Sequence, residues 1–401
     1  MKRFFGLFSF HPRIKYVQGM NGTIFKIVFA ILCLTAILGI VWMFSGIGAD
    51  FGDFLNNLWG PAYLLTHGQS PYNIKILFTD KNAVWLPMII GFAFPLGWLP
   101  RDLAIKLWLS LSLIVILWII WIANGKEKPS PLSFAVVLFA TLLFPPMVSH
   151  LVLGQFSIFV VALFLLSIRR MDKSGSWLLF FLFALALSKP QLCILALPGF
   201  LVAYGKNKGL QTMSGMLLGI VMGVIILVLP LYIGYPNWIK DFLANLMGYV
   251  NWLQPTFFCL FRLWWGTSGL IAWGIVACIS FGINFWLWHS LPVEDALAWS
   301  LALTVIVTPF AWSWDFVLFI PLLAMSIYRL KSYLETAVLA MGYIICWIIM
   351  LYTKLCGIGR DEQSWWVPCF LIAVFLVCWI INRRTKGKIM MFKKYLGPLN
   401  Q

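Results

Sequence analysis

"MSGMLLGIVMGVIILVLPLYI" occupies residues 213–233 and contains no charged side chain. As a helix, a stretch of this length rises about 30 Å, the thickness of a bilayer's hydrocarbon core. Similar apolar runs recur from end to end of the chain. Its 401 residues are 62% hydrophobic and only 10% charged, where a soluble domain carries about 25% charged residues. The expected fold is all-α, a polytopic transmembrane helical bundle. A transmembrane barrel would instead show weak alternating segments of about 10 residues. No soluble domain of any size interrupts the pattern, so residues 1–401 read as one integral membrane domain that itself carries the function.

The formal net charge is +16, which invites a nucleic-acid reading. The placement of the charge excludes it. Basic residues sit in short clusters between apolar runs, such as Arg169 and Arg170, Lys206 and Lys208, Arg329 and Lys331, and Arg383 and Arg384. That is the positive-inside pattern, and such clusters meet anionic headgroups of membrane lipids. Both ends are basic, so residues 1–24 and the tail 382–401 are expected in the cytoplasm. The number of crossings is then even. About thirteen apolar segments are visible, which implies about 12 spans. Residues 27–44 are long for a signal-peptide core and no clear cleavage site follows, so the first span reads as uncleaved. The expectation is an integral protein of a prokaryotic plasma membrane.

This topology places residues 48–82, 233–253, 308–315 and 353–364 outside. The first of these loops is unusually long, and long loops tend to be functional or disordered. Phe51, Phe54, Trp59, Tyr63 and Tyr72 argue against disorder. Residues 54–66 read as a short helix lying in the interface.

The chain has thirteen acidic residues. Asp50 and Asp53 stand at the outer end of the first span, and Asp315 stands between two later ones. An ionisable group near membrane depth is costly and marks a candidate functional site. Asp53 reads equally as the cap of a helix starting at Phe54. Lys189 is an isolated cation in "ALALSKPQLCILALP". Either it holds an anionic group such as a phosphate, or it snorkels to the headgroups. Gln155, in "FPPMVSHLVLGQFS", offers a donor and an acceptor to a sugar hydroxyl. Gln254 and Arg262 sit among dense aromatics, with Arg262 read as a phosphate ligand or an interface anchor.

None of the eight cysteines forms a C-x-x-C pair, so no metal site and no disulfide framework is expected. There is no Walker A, HExxH, GxSxG or dinucleotide motif.

Taken in order, "ADFGDF", "WGPAYLLTHGQSPYN", "WLPMIIGFAFPLGWLP", "FPPMVSHLVLGQFSIF", "ALSKPQ", "LQPTFFCLFR" and "TPFAWSWDFVLFIPLL" resemble the GT-C superfamily of polytopic glycosyltransferases. The resemblance is to glycosyltransferase family 87, whose members are similar to polyprenyl-phosphate-mannose-dependent α-mannosyltransferases. It implies a GT-C bundle with a long first outer loop, and an outward-facing site with no cofactor and no metal. The implied partners are a polyprenyl-phosphate-linked sugar donor, a lipid or glycan acceptor, and membrane lipids, with no nucleic acid. The catalytic base implied is Asp50 or Asp53, with Asp50 preferred. Lys189 and Arg262 are the candidates for the donor phosphate. His67, Tyr72, Gln155, Gln254, Trp312 and Asp315 are the candidates for sugar and acceptor. Many relatives carry a His where this chain has Trp314 and Asp315. The competing readings are a transporter or flippase of lipid-linked sugars, a polysaccharide polymerase or ligase, and a structural membrane subunit.

Overall fold

The computed structural model describes residues 50–79, 82–125, 129–171, 177–247, 253–356 and 360–396. The chain divides into two units, Met1–Gly48 and Ala49–Gln401, and the described residues lie in the second. The expected first span, cytoplasmic N-terminus and far end of the basic tail lie outside them. All regular structure among the described residues is helical.

Among the described residues, five helices are long and apolar enough to cross a membrane: Arg101–Ile122, Met213–Gly234, Ser268–Ser290, Tyr333–Thr353 and Asp361–Arg383. Pro131–Leu142 and Pro145–Leu153 make a sixth if counted as one broken span, bent by 67°. The cause of the bend is in the sequence. Pro145 has no N–H to continue the first helix, and it forces Phe144 into an extended conformation, ψ 121°.

Several of the other expected runs form helices too short to span. Ser157–Arg170 has 14 residues, Trp177–Ala186 has 10, Ala196–Lys208 has 13 and Val293–Val307 has 15, against about 20 for a full crossing. They are cut short by Gly154, by the Lys189–Pro190 turn and by Thr308–Pro309. The same cuts bring polar residues to the helix ends, where the candidate site lies.

Exposed apolar side chains cover the outer faces of the long helices, among them Leu218, Ile226 and Ile233 on one and Ile271 and Ile275 on another. That is the surface a lipid-facing helix needs. Within the bundle, close approach depends on small residues. A Cβ at Gly91 would lie 1.6 Å from the carbonyl oxygen of Leu227, so the backbones of Pro87–Ala93 and Leu210–Gly234 touch.

The long loop 50–79 is ordered. It begins as three consecutive helical pieces, Gly52–Phe54, a wide π-turn Leu55–Trp59, and Gly60–Thr66. Phe54 stacks on the buried Trp108, which also stacks on Phe156 and Phe159. Further along, Ser70 donates to Asp241, and Asn245 Nδ2 donates to the Tyr72 carbonyl at 2.6 Å. These bonds strap the loop to the amphipathic helix Trp238–Met247.

Candidate functional site

The site is built by residues at four breaks in the helical pattern. Asp53 lies in the first helical piece of the long loop 50–79. Gln155 and Ser157 follow the Gly154 turn. Lys189 precedes Pro190 at a second turn, and Asp315 opens the 3-10 segment Ser313–Phe319.

Gly154 adopts φ +69°, and a Cβ there would lie 2.6 Å from Phe54 Cβ. Only glycine fits both the left-handed turn and that approach. The turn is fixed from outside by the Trp108 indole, which donates to the Gly154 carbonyl at 2.9 Å. Asp53 and Gln155 each neighbour an aromatic of the Trp108 cluster, and so the cluster sets their separation.

Gln155 bridges two charged groups. Its amide nitrogen donates to Asp53, and its Oε1 accepts from Lys189 Nζ at 2.7 Å. Lys189 Nζ also donates to Ser157 Oγ at 3.0 Å and pairs with Asp315 Oδ1 at 3.4 Å. Ser157 in turn donates to Asp315. The other Asp315 oxygen accepts from the Trp312 backbone N–H at 3.0 Å. Lys189 and Asp315 are buried, with side chains 6% and 2% exposed.

A lysine ammonium has three protons, and the three partners account for them. The contact with Asp315 is the weakest, longer than the ~2.7–2.9 Å of a strong charge-assisted bond. Nζ also sits 4.7 Å from the centre of the half-buried Trp85 ring. Trp85 is held by the long loop: Asn57 Oδ1 accepts the N–H groups of Val84 and Trp85 at 2.9 and 3.4 Å, while Asn57 Nδ2 reaches Asp53 at 3.5 Å.

Two polar groups beside the network are not fully hydrogen-bonded among the described residues. Both ring nitrogens of His150 are buried and make no bond of good geometry, although the ring lies near the Trp314 backbone; Ser188 Oγ is buried and unpartnered. Unsatisfied buried groups of this kind are rare and cluster where a ligand or water completes the site.

The structure thus joins Asp53, Gln155, Lys189 and Asp315. Tyr72 is adjacent: it is buried against Trp238 and Phe242, with its hydroxyl 3.4 Å from the Trp85 carbonyl. Burial pushes its phenol well above the ordinary tyrosine range, so it stays neutral. Asp50 is exposed at the mouth of the loop. It precedes Phe51, a non-glycine residue at φ 41° whose N–H donates to the Val152 carbonyl at 2.9 Å. Left-handed strain of this kind persists only where its surroundings enforce it.

Of the remaining candidates, Arg262, His67 and Gln254 stand apart from the network, while Trp312 joins it through its backbone N–H to Asp315. Arg262 is exposed on Phe257–Trp265. His67 is exposed and caps Gly60–Thr66, with Nδ1 2.8 Å from the Tyr63 carbonyl. Gln254 is buried just ahead of the Thr256 cap. Trp312 stacks on Trp314. Among the described residues no group of three or more His, Cys, Asp or Glu could hold a metal ion.

Asn57, Ser157 and Trp85 were not expected from sequence. Asn57 lies four residues after Asp53 on one helical face, and that spacing is the signal that could have found it. Ser157 and Trp85 carry no such mark.

The family model for glycosyltransferase family 87 matches residues 86–321. The matched region covers more than half of the chain and includes Gln155, Ser157, Lys189, Arg262 and Asp315; Asp50, Asp53 and Trp85 precede it. No curated protein matches the chain. On a match of this extent, over an all-helical bundle with several membrane-length helices, the chain belongs to glycosyltransferase family 87 and is a membrane glycosyltransferase.

Proposed function

We propose that the protein transfers a hexose or pentose, with mannose the first choice, from a polyprenyl-phosphate donor to a lipid or glycan acceptor at the outer face. The observation that carries this reading is the buried Lys189, held by Gln155 and Ser157 beside Asp315. Its network carries one cation against two carboxylates. A donor phosphate therefore approaches from the Trp85 side, where Lys189 faces a ring rather than an acid, and replaces the long contact to Asp315.

Helix polarity supports the outer-face assignment. Ser157–Arg170 has the network at its first residue and Arg169 and Arg170 in its last turn. Its length separates them by about 20 Å. If the basic end is cytoplasmic, the network faces outward. The same reading keeps a bundle of about 12 spans with both termini inside.

In this mechanism the acceptor hydroxyl oxygen attacks the anomeric carbon as the bond from that carbon to the phosphate oxygen breaks. The electron pair leaves with the polyprenyl phosphate, whose charge Lys189 offsets. Asp50 takes the hydroxyl proton as general base. Its carboxylate is exposed at the loop mouth, whereas Asp53 is tied to Gln155 and Asn57 and positions the network. One direct attack inverts the anomeric configuration.

The test is transfer of labelled sugar from polyprenyl-phosphate mannose in reconstituted vesicles, comparing wild type with Asp50→Asn and Asp53→Asn. Loss of a general base lowers turnover about 10²–10⁴-fold, and that loss is expected for folded Asp50→Asn. Full activity in that variant would move the base to Asp53 or Asp315. Failure of the wild type with every polyprenyl-linked sugar would overturn the donor assignment.

A further inference from the structure

A polar cavity lies at the end of the bundle opposite the network. Val293–Val307 runs from Asp295, in its first turn, to the Thr308–Asp315 loop of the network. A helix of that length separates the two ends by about 20 Å. The cavity has a volume of about 250 Å³, and Asp295, Arg329, Glu335, Trp379, Asn382 and Arg383 supply its polar wall. Ligand pockets that enclose whole small molecules run to roughly 300–1,000 Å³, so this one fits a headgroup-sized group.

The wall is incompletely satisfied. Glu335 is 2% exposed. Its Oε2 accepts from the Lys331 N–H at 2.9 Å and from Asn382 Nδ2 at 3.2 Å. Its Oε1 is buried with no partner among the described residues. Asp295 repeats the pattern: Oδ2 pairs with Arg329 Nη1 at 2.7 Å, and Oδ1 is buried and unpartnered. Opposite these acceptors, the Arg383 guanidinium lies 4.0 Å over the Trp379 ring.

An occupant must bring N–H donors to the two orphan oxygens and negative charge to the arginines. A simple anion would meet Glu335 and Asp295, and a simple cation would meet Arg329 and Arg383. A phosphate carrying a primary ammonium satisfies both. The depth of the cavity says what bears it. Glu335 lies in the first turn of the candidate span Tyr333–Thr353, and Arg383 is the last residue of Asp361–Arg383. Both therefore sit at headgroup level, and Leu322, Met325 and Phe375 supply apolar wall beside them.

We propose that this cavity binds the phosphoethanolamine headgroup of a membrane lipid, with its ammonium on Glu335 and Asp295 and its phosphate on Arg383.

The purified full-length protein is equilibrated with mixed micelles of ethanolamine, choline and glycerol phospholipids, and retained lipid is read by native mass spectrometry. Wild type is compared with Glu335→Gln and Arg383→Gln, each checked for an unchanged melting temperature, and with free phosphoethanolamine as competitor. Charge-assisted bonds give an expected preference for the ethanolamine lipid of about tenfold, lost in Glu335→Gln, whereas Arg383→Gln lowers retention of all three lipids, which share the phosphate. Arg383 is exposed, so its variant keeps the test open if Glu335→Gln misfolds. Equal retention of the three lipids by the wild type, a preference unchanged in folded Glu335→Gln, or total retention unchanged in Arg383→Gln would overturn the proposal. Binding of free phosphoethanolamine that the ethanolamine lipid cannot displace would overturn the lipid as its source.

Discussion

Lys189 and Gln155 meet at 2.7 Å between Nζ and Oε1, although 34 residues separate them. Through that one amide the buried cation is linked to Asp53 in the long loop, since the other end of the Gln155 side chain donates to Asp53. Loop, helix break and cation therefore form one unit.

Removing the cation alone exposes the cost of its partner. Lys189→Met leaves Asp315 buried and uncompensated, which destabilises by about 3–5 kcal/mol. The double variant Lys189→Met/Asp315→Asn is expected to recover part of that loss, without regaining transfer. Denaturation of the four proteins of this cycle in detergent measures the coupling. Strictly additive losses would show that the pair does not interact.

Gly154 is irreplaceable for two reasons. Alanine there is strained at φ +69° and places its Cβ 2.6 Å from Phe54 Cβ. The expected loss for Gly154→Ala is about 1–3 kcal/mol. Phe54 must move, and Asp53 moves with it, so transfer should fall further than the melting temperature suggests. A variant with normal turnover would mean that the Asp53–Gln155 contact does not matter for activity.

Tyr72 separates packing from hydroxyl chemistry. Its hydroxyl contact to Trp85 is long, so Tyr72→Phe should cost at most about 1 kcal/mol and leave transfer intact at every pH where the wild type works. Tyr72→Ala removes a buried ring and should cost about 3–5 kcal/mol. If Tyr72→Phe instead raises the KM for the acceptor, the hydroxyl contacts substrate directly.

Asn57 holds the segment that carries Trp85. Asn57→Ala strands the N–H of Val84 and frees Asp53 from one donor, at an expected cost of about 1–3 kcal/mol. Its activity loss should appear in kcat, because the loop is misplaced rather than missing. An unaltered kcat would leave Asn57 with a purely structural role.

His67 offers the contrasting case. Its ring is exposed and bonded to its own helix end. His67→Ala should leave transfer rates and substrate affinities unchanged. A raised acceptor KM would restore it to the sugar-binding residues that the sequence suggested.

Much was legible in the sequence because its causes are local. Charge-free runs such as residues 213–233 declare membrane helices, since a buried backbone in lipid must satisfy itself. Pro145, Gly154 and Pro190 mark the breaks, because each residue type restricts the backbone where it stands. Gln155, Lys189 and Asp315 stood out as polar residues at those breaks. What the sequence by itself determined is therefore the helical membrane class, the positions of the breaks and the short list of costly polar groups.

Only the tertiary structure decided which of those groups meet. Asp50 and Asp53 are indistinguishable as neighbours in a loop, yet packing of Phe54 on Trp108 ties Asp53 into the network and leaves Asp50 exposed at its mouth. Asn57, Ser157 and Trp85 joined for the same reason, as did the Glu335–Asp295–Arg383 cavity at the other end. Hydropathy acts along the chain, whereas a hydrogen bond between residues 155 and 189 depends on how the short helices between the breaks pack.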